Sequence, residues 1–118
     1  MKLPHNEEAE RIVLSVVMNE GPSALLKALD YKGTEAWFYN QFAKVIWKQV
    51  NEAHIRGIGL EPHIICAELK KTDPDLKRCG GMQNFADISG ASPTPLAFAY
   101  SLDAIRDAYQ ARELAVVA

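Results

Sequence analysis

Three acidic side chains near the start, Glu7, Glu8 and Glu10, are of the type that does general acid–base chemistry, which needs a second proton-transferring group within reach. No partner stands at a matching spacing, and their place at a helix start points to capping and solvation. His63 and Cys66 lie three residues apart, so one helix face could aim both at a metal, with His54 and Cys79 as further ligands. The gaps are irregular and no paired-ligand motif is present, which favours a core cysteine beside a surface histidine. Gly80-Gly81 lacks the Gly-x-x-x-x-Gly-Lys-Ser/Thr spacing of a phosphate cradle and follows no strand. Trp37, Phe38, Tyr39 and Phe42 could stack on bases, but at helical spacing with little positive charge nearby they read as core. The chain therefore offers no catalytic constellation, and neither a metal nor a cofactor site is expected in it.

The bulk properties agree. A chain of 118 residues, 48% hydrophobic and 24% charged, is one globular domain. A net charge of −2 gives no general pull toward phosphate backbones, so direct DNA binding is disfavoured. Lys70, Lys71, Lys77 and Arg78 are interrupted by Asp73 and Asp75 and read as a solvated helix end and loop. Two cysteines without a CxxC are expected as free thiols. The N-terminus lacks the apolar run of a signal peptide, and no stretch approaches the roughly 20 apolar residues of a membrane span. A cytoplasmic location away from the membrane is the expectation.

Helices must position whatever the chain uses. Asn6 can cap a first helix, with Glu7 and Glu8 in its first turn and Glu7–Arg11 as an i,i+4 pair. Ala9, Ile12, Val13, Val16 and Val17 form its buried face, and Gly21-Pro22 stops it. A short helix over 23–29 follows. Thr34 can cap a long helix over 35–56, whose apolar side holds Trp37, Phe38, Phe42, Val45, Ile46 and Val50 and which Gly57 and Gly59 end. Pro62 suits the first turn of a helix through Ile64, Ile65, Ala67 and Leu69. Beyond Gly80-Gly81 lies another, through Met82, Phe85, Ala86 and Ile88. The fold class is all-α.

Residues 89–95, with Pro93 and Pro95, are the one linker-like segment. They divide the chain into a compact helical bundle over 1–92 and a connector with a terminal helix over 93–118. That helix runs to Ala118 with no stop signal, as expected of a sequence cut within a longer protein. Leu96, Tyr100, Ile105, Tyr109, Arg112 and Val116 lie roughly along one stripe, more apolar surface than a terminal helix buries alone. The expectation is that it packs against another helix, from a partner, rather than back on the bundle.

Five stretches in order resemble the N-terminal domain of DnaB-type replicative helicases. Leu3-Pro4-His5-Asn6-Glu7-Glu8-Ala9-Glu10, then Val13-Leu14 and the small Ser15, is similar to the family's Pro-x-x-x-Glu-Ala-Glu-x-x-Val-Leu-Gly start. Phe38-Tyr39 with Ile46, Leu60-Glu61 with Ala67-Glu68-Leu69, Cys79-Gly80-Gly81 with Phe85-Ala86 and Ile88, and Tyr100, Ile105, Arg112-Glu113-Leu114 resemble the following four. Ser15 departs from the family's Gly. Glu61 replaces a capping Asp, so Pro62 must carry that helix start.

The resemblance implies a helical bundle followed by the first arm of a helical hairpin. Such domains pair through their hairpins and close into a hexameric collar that receives primase and, in some systems, a helicase loader. ATP and Mg would belong to a motor domain that lies outside this sequence. On this reading Tyr100, Ile105, Tyr109 and Val116 are interface residues, with Arg112 as a polar anchor. Rivals are the helicase-binding domain of a primase, which has a related fold, a stand-alone phage or plasmid replication factor, and a single-strand DNA binder. Which residues would contact primase does not follow from any motif.

Overall fold

A computed structural model of the chain describes residues 5–31, 35–90 and 95–117. They form six α-helices and two short 3-10 turns, with no strand among the described residues: α1 Glu7–Glu20, α2 Pro22–Asp30, α3 Gln41–Arg56, α4 Pro62–Lys70, α5 Met82–Ser89 and α6 Pro95–Val117, the turns being Glu35–Trp37 and Lys77–Cys79.

The spine of the bundle is α1. The Asn6 side chain accepts the Ala9 N–H, and Gly21 ends the helix with φ at 86°, a left-handed conformation that suits glycine. Val13, Leu14 and Val17 are wholly buried against α2, α3, α5 and α6. Where α1 meets the end of α5, fully buried Ser15 donates its hydroxyl to the Ser89 carbonyl at 3.2 Å, and Asn19 Nδ2 reaches the same carbonyl at 2.9 Å. The small residue there lets the helices approach, and its hydroxyl pairs a carbonyl that the end of α5 leaves open. Glu61 makes no side-chain cap at the start of α4, which opens on Pro62.

Two expectations change. The helix over 35–56 is two elements: the turn Glu35–Trp37 comes first, and α3 starts at Gln41. Its cap is Asn40, whose Oδ1 accepts the N–H groups of Phe42 and Ala43 at 2.8 and 3.2 Å. Thr34, the expected cap, lies outside the described residues. Glu7 makes no ion pair with Arg11. Its carboxylate instead accepts from Asn40 Nδ2 at 3.0 Å.

The loop from α4 to α5 is drawn tight by Asp73, whose carboxylate accepts the N–H groups of Lys77 and Arg78. Leu76 takes a left-handed φ of 52° with its side chain fully buried, so core burial offsets a backbone conformation that branched and bulky residues avoid.

Pro93 lies outside the described residues. Beyond it, α6 folds back on α1 rather than standing free. Phe98, Leu102 and Ile105, at i, i+4 and i+7, are at most 4% exposed and join the common core. The helix has two apolar sides, and the bundle covers one of them.

Candidate interaction surface

The five residues singled out on α6 do not share a face. At 100° per residue, Phe98, Leu102, Ile105, Tyr109 and Arg112 fall within one narrow sector, and Leu96, Tyr100 and Leu114 fall opposite. Exposure follows that division. Ile105 is 2% exposed and Arg112 7%, and Tyr109 packs half-buried against the core. Leu96, Tyr100 and Leu114 are 81%, 74% and 71% exposed. The side chain of Val116 lies outside the described residues. So Tyr100 faces solvent, while Ile105, Tyr109 and Arg112 hold α6 in its seat. Between the exposed residues, Asp103, Arg106 and Asp107 form a charged band, with Arg106 about 3.4 Å from both carboxylates.

Arg112 marks the lower end of that seat. Its guanidinium donates to the carbonyls of Ala36 and Trp37, each at 3.0 Å, and lies 5.4 and 5.9 Å from the ring centres of Tyr39 and Tyr109. On the same stretch of backbone sits Glu10, 1% exposed, accepting the N–H groups of Tyr39 at 3.2 Å and Asn40 at 3.0 Å. Glu10 is therefore not the solvated helix-start carboxylate its position suggested. Burial pushes its carboxyl above the usual carboxylate range, against the opposing pull of the Asn40 and Tyr39 N–H groups and the Arg112 and His5 charges. Outside the clasp, His5 stacks on Tyr39 with ring centres 4.5 Å apart. They stand beside an open cleft of about 640 Å³ that Phe42, Lys44 and Glu113 also line.

This arrangement ties α1 and α6 to the backbone that leads into α3. Among the described residues no three His, Cys, Asp or Glu side chains are placed to hold a metal ion. Cys66 and Cys79 are buried free thiols, and burial raises the Cys79 thiol to about 11, leaving it protonated and inert at neutral pH. His63 is exposed. Of the aromatic cluster, Trp37 and Phe38 are core, Tyr39 is half-buried, and Phe42 lies at the surface. No described helix is long and apolar enough to cross a membrane.

The signal that sequence reasoning missed is the Glu10–Arg112 clasp. Both residues lie within stretches quoted for the resemblance, but nothing in their local spacing joins positions so far apart.

Comparison with known proteins fits this architecture. The crystal structure of the N-terminal domain of DnaB helicase from Mycobacterium tuberculosis superposes with a TM-score of 0.81 at 19% sequence identity, over 97% of this chain and 77% of that one. That likeness speaks to the fold. No curated protein sequence matches. The family model of the DnaB-like helicase N-terminal domain matches residues 2–107. This all-α bundle, matched over nearly its whole length, thus belongs to the DnaB-like helicase N-terminal domain family.

Proposed function

We propose that this domain is the assembly and docking part of a hexameric replicative DNA helicase, acting in the cytoplasm. In this reading it pairs with further copies of itself to build a collar, and the collar receives primase and a helicase loader. ATP hydrolysis and unwinding belong to a motor elsewhere in the parent protein.

One observation carries the reading: three large apolar side chains, Leu96, Tyr100 and Leu114, stand exposed on one face of a 23-residue helix whose opposite face is already in the core. Exposed apolar surface of this kind is favourable to cover, and a helix surface is most readily covered by another helix. Tyr100 is the centre of the contact. Ile105, Tyr109 and Arg112 serve it from behind by fixing the rotation of α6.

The test is sedimentation equilibrium of the parent helicase carrying Leu96→Glu and Tyr100→Glu together. Loss of the hexamer to smaller species is expected. An unchanged hexamer would remove this face from the assembly.

A further inference from the structure

The chain's charge is unevenly distributed. Seven of its 13 lysines and arginines fall between residues 44 and 78, with five of its 15 acids, so that segment is net positive and the remainder net negative. The positive segment is α3, α4 and the loop after them, and between these elements runs a groove of about 350 Å³. Lys48 and Arg56 enter it from α3, Lys71 from the end of α4, and Arg78 from the loop.

The four cations are not equivalent. Arg56 and Lys71 both engage Glu68, Arg56 at 2.8 Å, and Arg56 also lies 3.8 Å from Glu52. Lys71 beside Glu68 holds that carboxyl below the usual range. Among the described residues, no carboxylate lies within ion-pair distance of the Lys48 ammonium or the Arg78 guanidinium. Arg78 is held in place by its own backbone, since its N–H donates to Asp73 at 2.9 Å. Val45 and Leu69 supply apolar wall between the charges.

We propose that this groove docks an acidic peptide segment of a partner protein, with carboxylates on Lys48 and Arg78 and an apolar side chain against Val45 and Leu69. The lining discriminates between polyanions. A nucleic-acid backbone presents continuous charge and would meet Glu52 and Glu68 along the groove, and among the described residues no aromatic side chain lines it to stack a base. A peptide can set discrete carboxylates at the two free cations and leave neutral residues beside the two glutamates. This surface is separate from the outer face of α6 and does not depend on it.

The test uses the full chain, labelled with ¹⁵N, titrated at physiological salt with a short peptide of repeated Asp-Glu-Leu and with its Asn-Gln-Leu counterpart. The acidic peptide is expected to shift the amides of residues 45–52, 69–72 and Arg78, and the neutral one to leave them in place. Lys48→Glu with Arg78→Glu is expected to weaken binding by about tenfold or more. Both side chains are exposed, and an unchanged circular dichroism spectrum shows that the variant folds. A Lys-Lys-Leu peptide should then bind the charge-reversed groove.

Three results would overturn the proposal. The first is no shift, or shifts elsewhere on the surface. The second is tighter occupation of the same groove by a thymidine oligonucleotide. The third is concentration-dependent shifts at the groove without peptide that Arg78→Glu abolishes, which would assign it to a second copy of the chain.

Discussion

Glu10 and Arg112 grip the same stretch of backbone, the carboxylate taking the N–H groups of Tyr39 and Asn40 and the guanidinium donating to the carbonyls of Ala36 and Trp37. Each buried charge is thus met by peptide dipoles of the opposite sign, and the short connection into α3 becomes the bridge between α1 and α6. Buried charges are tolerated where such partners are complete, and removing one partner is the damaging change.

Arg112→Ala should lower unfolding free energy by about 2–3 kcal/mol, because two carbonyls lose a charged donor and Glu10 loses a compensating charge. Urea denaturation measures the total. Hydrogen exchange should show opening of the last turns of α6 before the core. A loss below about 0.5 kcal/mol would mean the clasp contributes nothing beyond a surface contact.

Glu10→Gln tests the electrostatics. A carboxyl whose folded pKa is raised contributes stability that is complete below its unfolded value and declines as pH rises through the folded one. The wild-type advantage over the Gln variant should therefore be largest in acid and shrink from about pH 4.5 upward. Parallel urea melts from pH 4 to 8 read the difference. A gap that widens with pH contradicts the assignment.

Asn40→Ala removes the cap of α3 and should cost about 1 kcal/mol. Asn40→Asp keeps an acceptor for Phe42 and Ala43 and should recover much of it, although its lost amide leaves Glu7 without a donor. Thermal unfolding of the two variants distinguishes cap loss from generic disruption.

Ser15→Val places extra volume where α1 and α5 meet and deletes the hydroxyl that pairs the Ser89 carbonyl, so a loss of about 2–3 kcal/mol is expected. Ser15→Gly deletes the same hydroxyl and loosens the helix backbone without adding volume, so a smaller loss of about 1–2 kcal/mol is expected.

Tyr100→Glu should leave unfolding within about 0.5 kcal/mol of wild type, since the side chain is 74% exposed. Its effect belongs to association, read by sedimentation of the parent helicase. A large destabilisation of the isolated chain would place Tyr100 in the fold instead of the interface.

The parts of this architecture that local chemistry decides were legible in the sequence. Asn6, Gly21-Pro22, Gly57 and Pro62 punctuate α1, α3 and α4 where expected, because a cap or a left-handed turn needs only its immediate neighbours. The start of α3 was not legible. The apolar spacing runs unbroken from Trp37 through Phe42, and the break at Asn40 depends on Glu10, brought there by folding. The α6 surface was half legible. A helix with apolar residues on both sides has no single preferred stripe, and at 100° per residue Tyr100 falls opposite Ile105 and Arg112, so no one stripe holds all three. What spacing leaves open is which side faces inward, and packing against α1 decides it.

The two faces of α6 have a joint consequence. They share one rigid backbone, and a shift in register by one residue turns the helix by about 100°, which would exchange core side chains for surface ones. Any ligand that grips the outer face therefore also resists detachment of the inner one. Its binding free energy is added to that of folding, by linkage. Melting temperature thus becomes a reporter of occupancy, and a partner of this domain can be sought by the protection it confers against heat.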